Sequence, residues 1–372
     1  MSPFSPDGSL TTTAAPPATA HEALAELARR IEATRRIPNP WSLESERGIT
    51  GPALDALLRA WSTLDWPAQE ARVRSLPWEL CDTGEGVLRL IHQRAADPAA
   101  PAVVLLHGWP DSVLRFERVL PLLTDLNVVI PALPGFPFSP PLGDTTVAIA
   151  NIASRVAAAM TRLGYDSYVV SGGDVGGLVA ETLAASAHDH VAALHLTNLA
   201  AARVGSIDPS AAAPEVSAYA SEVSSWRRQE GGFVAEQSTK PNTLIAALAD
   251  SPAGLLAWIG EKLVGWSDGD DAFTAEELLT WVSAYWHTET AGTALSTYVS
   301  PTPLPARIDT PTVYSAFAHD IMPAPRPYLE LFVNLAEYVH HGSGGHFAAW
   351  ERPGEYAADL RRAVALAEDA SR

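Results

Sequence analysis

The chain is 372 residues long, with 47% hydrophobic and 18% charged residues and eleven tryptophans, enough to bury a large core and to exclude wholesale disorder. Its 43 acidic against 25 basic side chains leave a net charge of −18, which argues against a broad electrostatic hold on nucleic acid or on an anionic membrane surface. A lone cysteine, Cys81, excludes an internal disulfide and a cysteine-rich zinc site and fits a reducing, cytoplasmic setting, and no run approaches the roughly 20 apolar residues of a membrane span, so no membrane anchor is expected.

Residues 1–20, rich in Pro, Ser, Thr and Ala and lacking the basic start and apolar core of a secretory signal, read as a disordered tail. Over 21–35, Leu24, Leu27, Ala28 and Ile31 recur at helical spacing until Pro38 and Pro40 stop the pattern, which predicts an amphipathic helix. A second helix is expected over 52–64, and alternation in 79–81 and 86–91 predicts a hairpin turning at Thr83-Gly84. Residues 21–94 therefore read as an N-terminal accessory region. Beyond the Pro/Ala-rich turn at 95–101, short unbroken apolar runs at 102–106, 127–130, 167–170, 191–196 and 312–316 have the pattern of buried parallel strands. Helical segments fall between them, clearest at 149–163 and 178–187, and this alternation predicts an α/β core with a mostly parallel central sheet, divided into 95–200 and 306–372. The intervening 201–305 is helical in pattern and rich in Trp and Tyr. A connection of that length must fold on its own, and a lid over the sheet is expected. The acidic cluster at 268–271 reads as a solvated turn.

Three local signals carry chemistry. In Tyr168-Val169-Val170-Ser171-Gly172-Gly173-Asp174-Val175-Gly176-Gly177 an apolar strand runs through small residues into a helix, the arrangement of a nucleophile elbow with an acid where serine usually stands. Gly172 and Gly176 permit the tight turn and the helix N-terminus favours an anion, so Asp174 is expected as a presented carboxylate; the simpler reading is a helix cap. Upstream, a strand ends in His107-Gly108-Trp109-Pro110, and the backbone N–H groups of Trp109 and Val175 are expected to converge on a developing oxyanion, with His107 holding the loop. Finally, the stretch Gly342-Ser343-Gly344-Gly345-His346-Phe347 delivers a histidine from a glycine loop, after Asp320 in chain order. Nucleophile, acid, histidine is the hydrolase order, so His346 is expected as the base and Asp320 as the acid that orients it. His340 and His341 compete, but no glycine turn aims them at the sheet.

Together, His107-Gly108-Trp109-Pro110, Leu133-Pro134-Gly135-Phe136-Pro137-Phe138-Ser139, Gly172-Gly173-Asp174-Val175-Gly176 and Gly344-Gly345-His346-Phe347 resemble the epoxide hydrolases of the microsomal type. The similarity runs over nearly the whole chain after residue 21. Trp61, Trp66, Glu70 and Pro77 look like that family's N-terminal region, and Lys240-Pro241-Asn242-Thr243 with Ser251-Pro252-Ala253-Gly254-Leu255 looks like its lid. The resemblance implies an α/β-hydrolase fold with a helical cap and hydrolysis of an epoxide to a vicinal diol through a covalent ester on Asp174, with an epoxide and water as partners and no metal or cofactor. An aspartate suits this chemistry, because a carboxylate that opens the ring leaves an ester that water activated by His346 can cleave, whereas a serine would leave an ether.

The family also uses two lid tyrosines as acids for ring opening. Tyr298 is the matching position for one, but Phe233 stands at the other, leaving Tyr219 or Trp226 to substitute or Tyr298 to act alone. Trp109, Phe136, Phe233 and Trp286 are expected to line the substrate pocket. Val175 stands where the family usually has tryptophan, which opens the pocket floor and argues against a haloalkane dehalogenase. An epoxide-opening cyclase or a ligand-binding pseudoenzyme would also be compatible with this fold. The arginine-dominated basic composition, with lysine only at 240 and 262, suits an enzyme of a GC-rich bacterium acting on a secondary metabolite, and exposed apolar surface on the N-terminal region would permit a homodimer.

Overall fold

All five apolar runs are strands of a single eight-stranded sheet. The structure, a computed structural model, describes residues 14–142, 147–208, 212–300 and 303–370. The strands are β1 (Trp78–Asp82), β2 (Val87–Gln93), β3 (Ala102–Leu106), β4 (Asn127–Pro131), β5 (Tyr168–Gly172), β6 (Val191–Leu196), β7 (Ile308–His319) and β8 (Val333–Gly345), in spatial order β1-β2-β4-β3-β5-β6-β7-β8. From β4 to β8 every pairing is parallel, while β2 runs antiparallel to both β1 and β4. Every residue of β3, β4 and β5 is buried on both sides of the pleat, so their sequences are apolar without alternation. The helices Ile149–Arg162, Val175–Ser186 and Pro353–Ala370 pack on this core.

Four expectations change. The hairpin assigned to the accessory region belongs to the central sheet, because the buried Leu88, Leu90 and Ile91 of β2 carry it onto β4. A further helix, Trp66–Arg74, follows the second one, opened by the Asp65 carboxylate accepting from the Ala68 N–H at 3.1 Å and by Pro67 in its first turn. Strand β8 escaped notice because it is the sheet's edge and half exposed, so Glu337, His340 and His341 hide its period. Finally, residues 14–20 of the expected disordered tail are packed onto the fold, whereas 1–13 lie outside the described residues. Arg89 and Arg74 donate to the carbonyls of Ala14 and Pro16 at 3.0 and 2.9 Å. The Thr19 N–H donates to Glu70 at 2.7 Å, and the Trp66 indole donates to the Thr19 hydroxyl at 2.9 Å.

Between β6 and β7 the chain forms helices Pro214–Gln229, Gly232–Thr239, Pro241–Asp250, Pro252–Gly265, Ala275–His287 and Ser296–Val299, above the carboxyl ends of the strands. The N-terminal helices His21–Glu32, Gly51–Trp61 and Trp66–Arg74 pack against this lid. Trp61 anchors the contact, its buried indole donating to the Ser283 hydroxyl at 2.8 Å. No single helix among the described residues is long and apolar enough to cross a membrane.

Glu70 receives both donors of Thr19, so Glu70→Ala leaves two partly buried groups without their acceptor. A loss of about 1–3 kcal/mol is expected in urea unfolding. An unchanged midpoint would show that residues 14–20 contribute nothing to the fold.

Candidate active site

The link between β5 and helix Val175–Ser186 is a single sharp turn centred on Asp174, whose φ of 56° and ψ of −129° lie outside the ordinary range for a side-chain-bearing residue. The turn closes because Gly176 carries no side chain: a Cβ there would run into the carbonyl oxygens of Leu106 and His107 at the end of β3. The Asp174 N–H donates to Asn198 Oδ1 at 2.8 Å. Its carboxylate is held from one side, with Oδ1 accepting the N–H groups of Trp109 at 2.8 Å and Val175 at 2.7 Å. The other oxygen, Oδ2, faces His346 Nε2 at 3.6 Å, an ion-pair distance rather than a hydrogen bond.

His346 leaves the end of β8 with its N–H donating to the Trp266 carbonyl at 2.8 Å, and its ring lies edge-on to the Trp266 indole. Its Nδ1 donates to Asp320 Oδ1 at 2.7 Å, and Nε2 is buried with no hydrogen-bond partner. Asp320, just past β7, also accepts from the Ile321 N–H at 2.7 Å. Burial pushes the imidazole pKa down, but the Asp320 carboxylate, with Asp174 behind it, outweighs this and raises it to about 9. At neutral pH the ring is therefore an imidazolium between two carboxylates. Its competitor His341 is paired with Asp359 at 2.6 Å, and His340 is exposed on β8.

These groups open onto a cavity of about 510 Å³ whose lining includes Asp174, Val175, His346, Phe233, Trp266 and Tyr298. Trp109 stacks on Phe233 with ring centroids 5.3 Å apart and planes 11° off parallel, and lies edge-on to Tyr298. Burial, reinforced by the Asp174 charge, pushes the Tyr298 phenol well above its ordinary pKa, so it keeps its proton. Tyr219 and Trp226 line the same cavity; the Tyr219 hydroxyl donates to the Met322 carbonyl at 3.4 Å, and Trp226 meets Phe233 edge to face. Three expected pocket residues are not part of the cavity lining: Trp109 is buried and stacks on Phe233, which does line the cavity, and the other two lie elsewhere. Phe136 is fully buried against His107, beneath the turn that carries it. Trp286 points toward the N-terminal region and packs on Trp61, because its neighbour Tyr285 takes the inward face of the helix.

Sequence reasoning missed the groups that hold these pieces in place. Asp111 accepts the Gly108 N–H at 2.6 Å and pairs with Arg115 at 2.6 Å, both side chains being wholly buried. Burial raises the Asp111 carboxyl pKa, but Arg115 and His107 outweigh it and bring it down to about 2. Arg115 reaches on to the His346 carbonyl, and the lid's Tyr285 hydroxyl donates to the Asp111 carbonyl at 2.9 Å. Glu351 accepts the N–H groups of Asp268, Gly345 and Phe347 and so fixes the histidine loop. The available signals were an acid directly after His107-Gly108-Trp109-Pro110 and an acid five residues after His346. His107 is structural: Nε2 accepts the Leu133 N–H at 3.1 Å, which leaves the proton on Nδ1. The arrangement can present one carboxylate oxygen to an electrophilic carbon while its partner stays in an amide cradle, with an imidazole placed to act on water.

Comparison with known proteins places the chain in a family. Residues 14–116 match the family model for the epoxide hydrolase N terminus, and 101–248 the model for the alpha/beta hydrolase fold. The chain is 32% identical over 359 residues to a Stigmatella aurantiaca protein named "Putative epoxide hydrolase", a match covering 91% of this chain and 81% of that one. Epoxide hydrolase 1 of Sus scrofa is 28% identical, over 94% and 88% of the two chains. The structure of Aspergillus niger epoxide hydrolase superposes with a TM-score of 0.84 at 29% identity, over 95% of this chain and 97% of that one.

Arg115→Ala would leave the Asp111 carboxylate buried without its counter-charge and the His346 carbonyl without its donor. A loss of about 3–5 kcal/mol in stability is expected by chemical denaturation. A loss below about 1 kcal/mol would show that the pair does not hold the loops together.

Proposed function

Because the chain belongs to the epoxide hydrolases and carries the α/β-hydrolase fold, we propose that Asp174 opens the epoxide as a covalent ester and that His346, oriented by Asp320, activates the water that releases the diol. The carrying observation is the unequal treatment of the two Asp174 oxygens. Oδ1, already between two backbone N–H groups, stays as the ester carbonyl. Oδ2, free of the cradle, attacks the ring carbon. The carbon–oxygen bond of the ring breaks, and the departing oxygen takes the Tyr298 proton. Phe233 offers a face for the substrate but no proton, so Tyr298 acts as the single acid of this pair of positions.

Esterification removes the negative charge beside His346 Nε2, and with it one of the two influences that raise the imidazole pKa. The ring then passes its proton to the Tyr298 phenolate left by ring opening, which restores the phenol, and becomes a base. It takes a proton from water, the hydroxide adds to the ester carbon, and the charge that develops on Oδ1 is met by the Trp109 and Val175 N–H groups. Collapse expels the diol oxygen, which takes the proton from His346, and the restored Asp174 carboxyl returns its own proton to the imidazole. The aromatic lining suits an epoxide with apolar substituents. A cytoplasmic setting is part of this proposal, supported by a single cysteine, Cys81, that is buried and unpaired.

A single turnover in heavy-oxygen water should place the label in the Asp174 carboxylate and release an unlabelled diol, and His346→Gln should accumulate the ester. Labelled diol without labelled Asp174 would mean direct attack by water. The same proposal separates two acid constants. NMR titration of His346 in the free chain should give a value near the raised one of about 9, whereas hydrolysis of the preformed ester should rise with pH to a plateau governed by a lower one. Equal values would mean that the Asp174 charge is not felt at the imidazole.

A further inference from the structure

One lid side chain is left with its hydrogen-bonding capacity half used. Gln237 lies in helix Gly232–Thr239, four residues beyond Phe233 and so on the same helix face, and it is completely buried. Its Oε1 accepts the Trp258 indole N–H at 3.0 Å. An indole can only donate, so the oxygen of the amide must face Trp258 and the NH2 group must face the other way. That NH2 is buried and has no hydrogen-bond partner among the described residues. A buried amide donor left unmade is costly, which points to a use for it.

The helix that bears Gln237 packs on the short helix Ser296–Val299 that bears Tyr298, with the rings of Phe233 and Tyr298 6.3 Å apart. Burial and then the Asp174 charge drive the Tyr298 phenol upward, and Gln237 is the neighbour whose influence opposes them. The amide and the phenol are not hydrogen-bonded to each other in the resting structure, and catalytic hydrogen bonds often tighten only as the substrate binds and reacts. The phenol itself has a single proton, and a donor on its oxygen leaves that proton free to point into the cavity.

We infer that Gln237 is a positioning residue for ring opening: its amide donates to the Tyr298 phenolic oxygen, aims the hydroxyl proton at the cavity, and stabilises the negative charge on that oxygen as the proton passes to the epoxide. The Trp258 indole holds the amide in the one orientation that allows this. The Tyr219 hydroxyl is turned to the Met322 carbonyl and position 233 carries no hydroxyl, so this amide supplies the help that Tyr298 would otherwise lack. The inference rests on the proposed role of Tyr298 as the acid.

The test is a double-mutant cycle read in single turnover, using whichever member of an aryl and alkyl epoxide panel is consumed fastest. Quenching of tryptophan fluorescence on ester formation and its recovery on hydrolysis give the two rates separately. Gln237→Met, close in shape but without the donor, should slow ester formation roughly tenfold, leave ester hydrolysis within about twofold, and add nothing to Tyr298→Phe. Trp258→Phe, which frees the amide to turn over, should slow ester formation in the same way and keeps the test open if Gln237→Met does not fold. The inference is overturned if Gln237→Met slows the Tyr298→Phe protein as much as the parent, or if hydrolysis falls as far as ester formation. Should Tyr298→Phe itself form the ester at the parent rate, the acid role of Tyr298 fails instead, and that outcome is distinct from the first two.

Discussion

The buried ion pair of Arg115 and Asp111 joins three stretches of chain that must meet around one carboxylate. Asp111 holds the Gly108 N–H, and so the loop whose next amide, that of Trp109, reaches Asp174. Arg115 holds the carbonyl of His346, and the Asp111 carbonyl receives a tyrosine from the lid. Removing two charges from water is expensive, and a pair of this kind is retained where it fixes geometry rather than where it adds stability. Here it fixes the oxyanion loop, the histidine loop and one lid helix relative to one another.

Given that frame, the charges at the site follow a closed sequence. The resting site has an ionised Asp174 beside a protonated His346, and burial alone would not allow the imidazolium. In the proposed mechanism, ring opening would consume the Asp174 charge and create one on Tyr298. The imidazole, relieved of one carboxylate, would then hold its proton less strongly just when the Tyr298 phenolate holds one strongly. The proton that His346 must shed would thus be the one Tyr298 needs, and transfer through the cavity would ready the base and restore the acid in one step. The high pKa of a buried phenol, which looks like a handicap for an acid, would favour the return of its proton in that cycle.

What could be read from the sequence was what is local. The elbow around Asp174, the glycine loop before His346 and the unbroken strands β3, β4, β5 and β6 each declare themselves within a dozen residues, because a tight turn needs glycine and a doubly covered strand needs apolar residues on both faces. Asp320 and His346 could be paired from chain order, although nothing in their neighbourhoods states that they touch. The edges were obscure for the opposite reason. Strand β8 has one side in solvent and reads as polar, and the β1–β2 hairpin shows its own turn but not which sheet it joins. Phe136 and Trp286 sit beside residues that matter, His107 and Tyr285, and motif reasoning could not tell which of two neighbours faces inward. Gln237 meets Trp258, and Arg115 meets the His346 carbonyl, only through contacts distant in sequence, so no spacing announces them.

The N-terminal region explains how a lid so rich in aromatic rings can hold its cavity-lining side chains in place. Tyr298, Phe233 and Trp266 reach the cavity from three separate lid helices or their ends, and such a surface would be only as well aligned as the helices behind it. Trp61 pins helix Ala275–His287 through Ser283, Arg30 engages Asp250 at the end of another lid helix, and residues 14–20 tie the supporting helices back to β2 through Arg89. Tyr285, on the same lid helix as Ser283, then connects this outer layer to Asp111. A chain of contacts therefore runs from the first described residues, through the lid, to the ion pair beneath the oxyanion loop. The lid is clamped from above by the N-terminal helices and from below by the buried pair, so under the proposed mechanism the separation of Tyr298 and Asp174 would be set by packing rather than by the substrate.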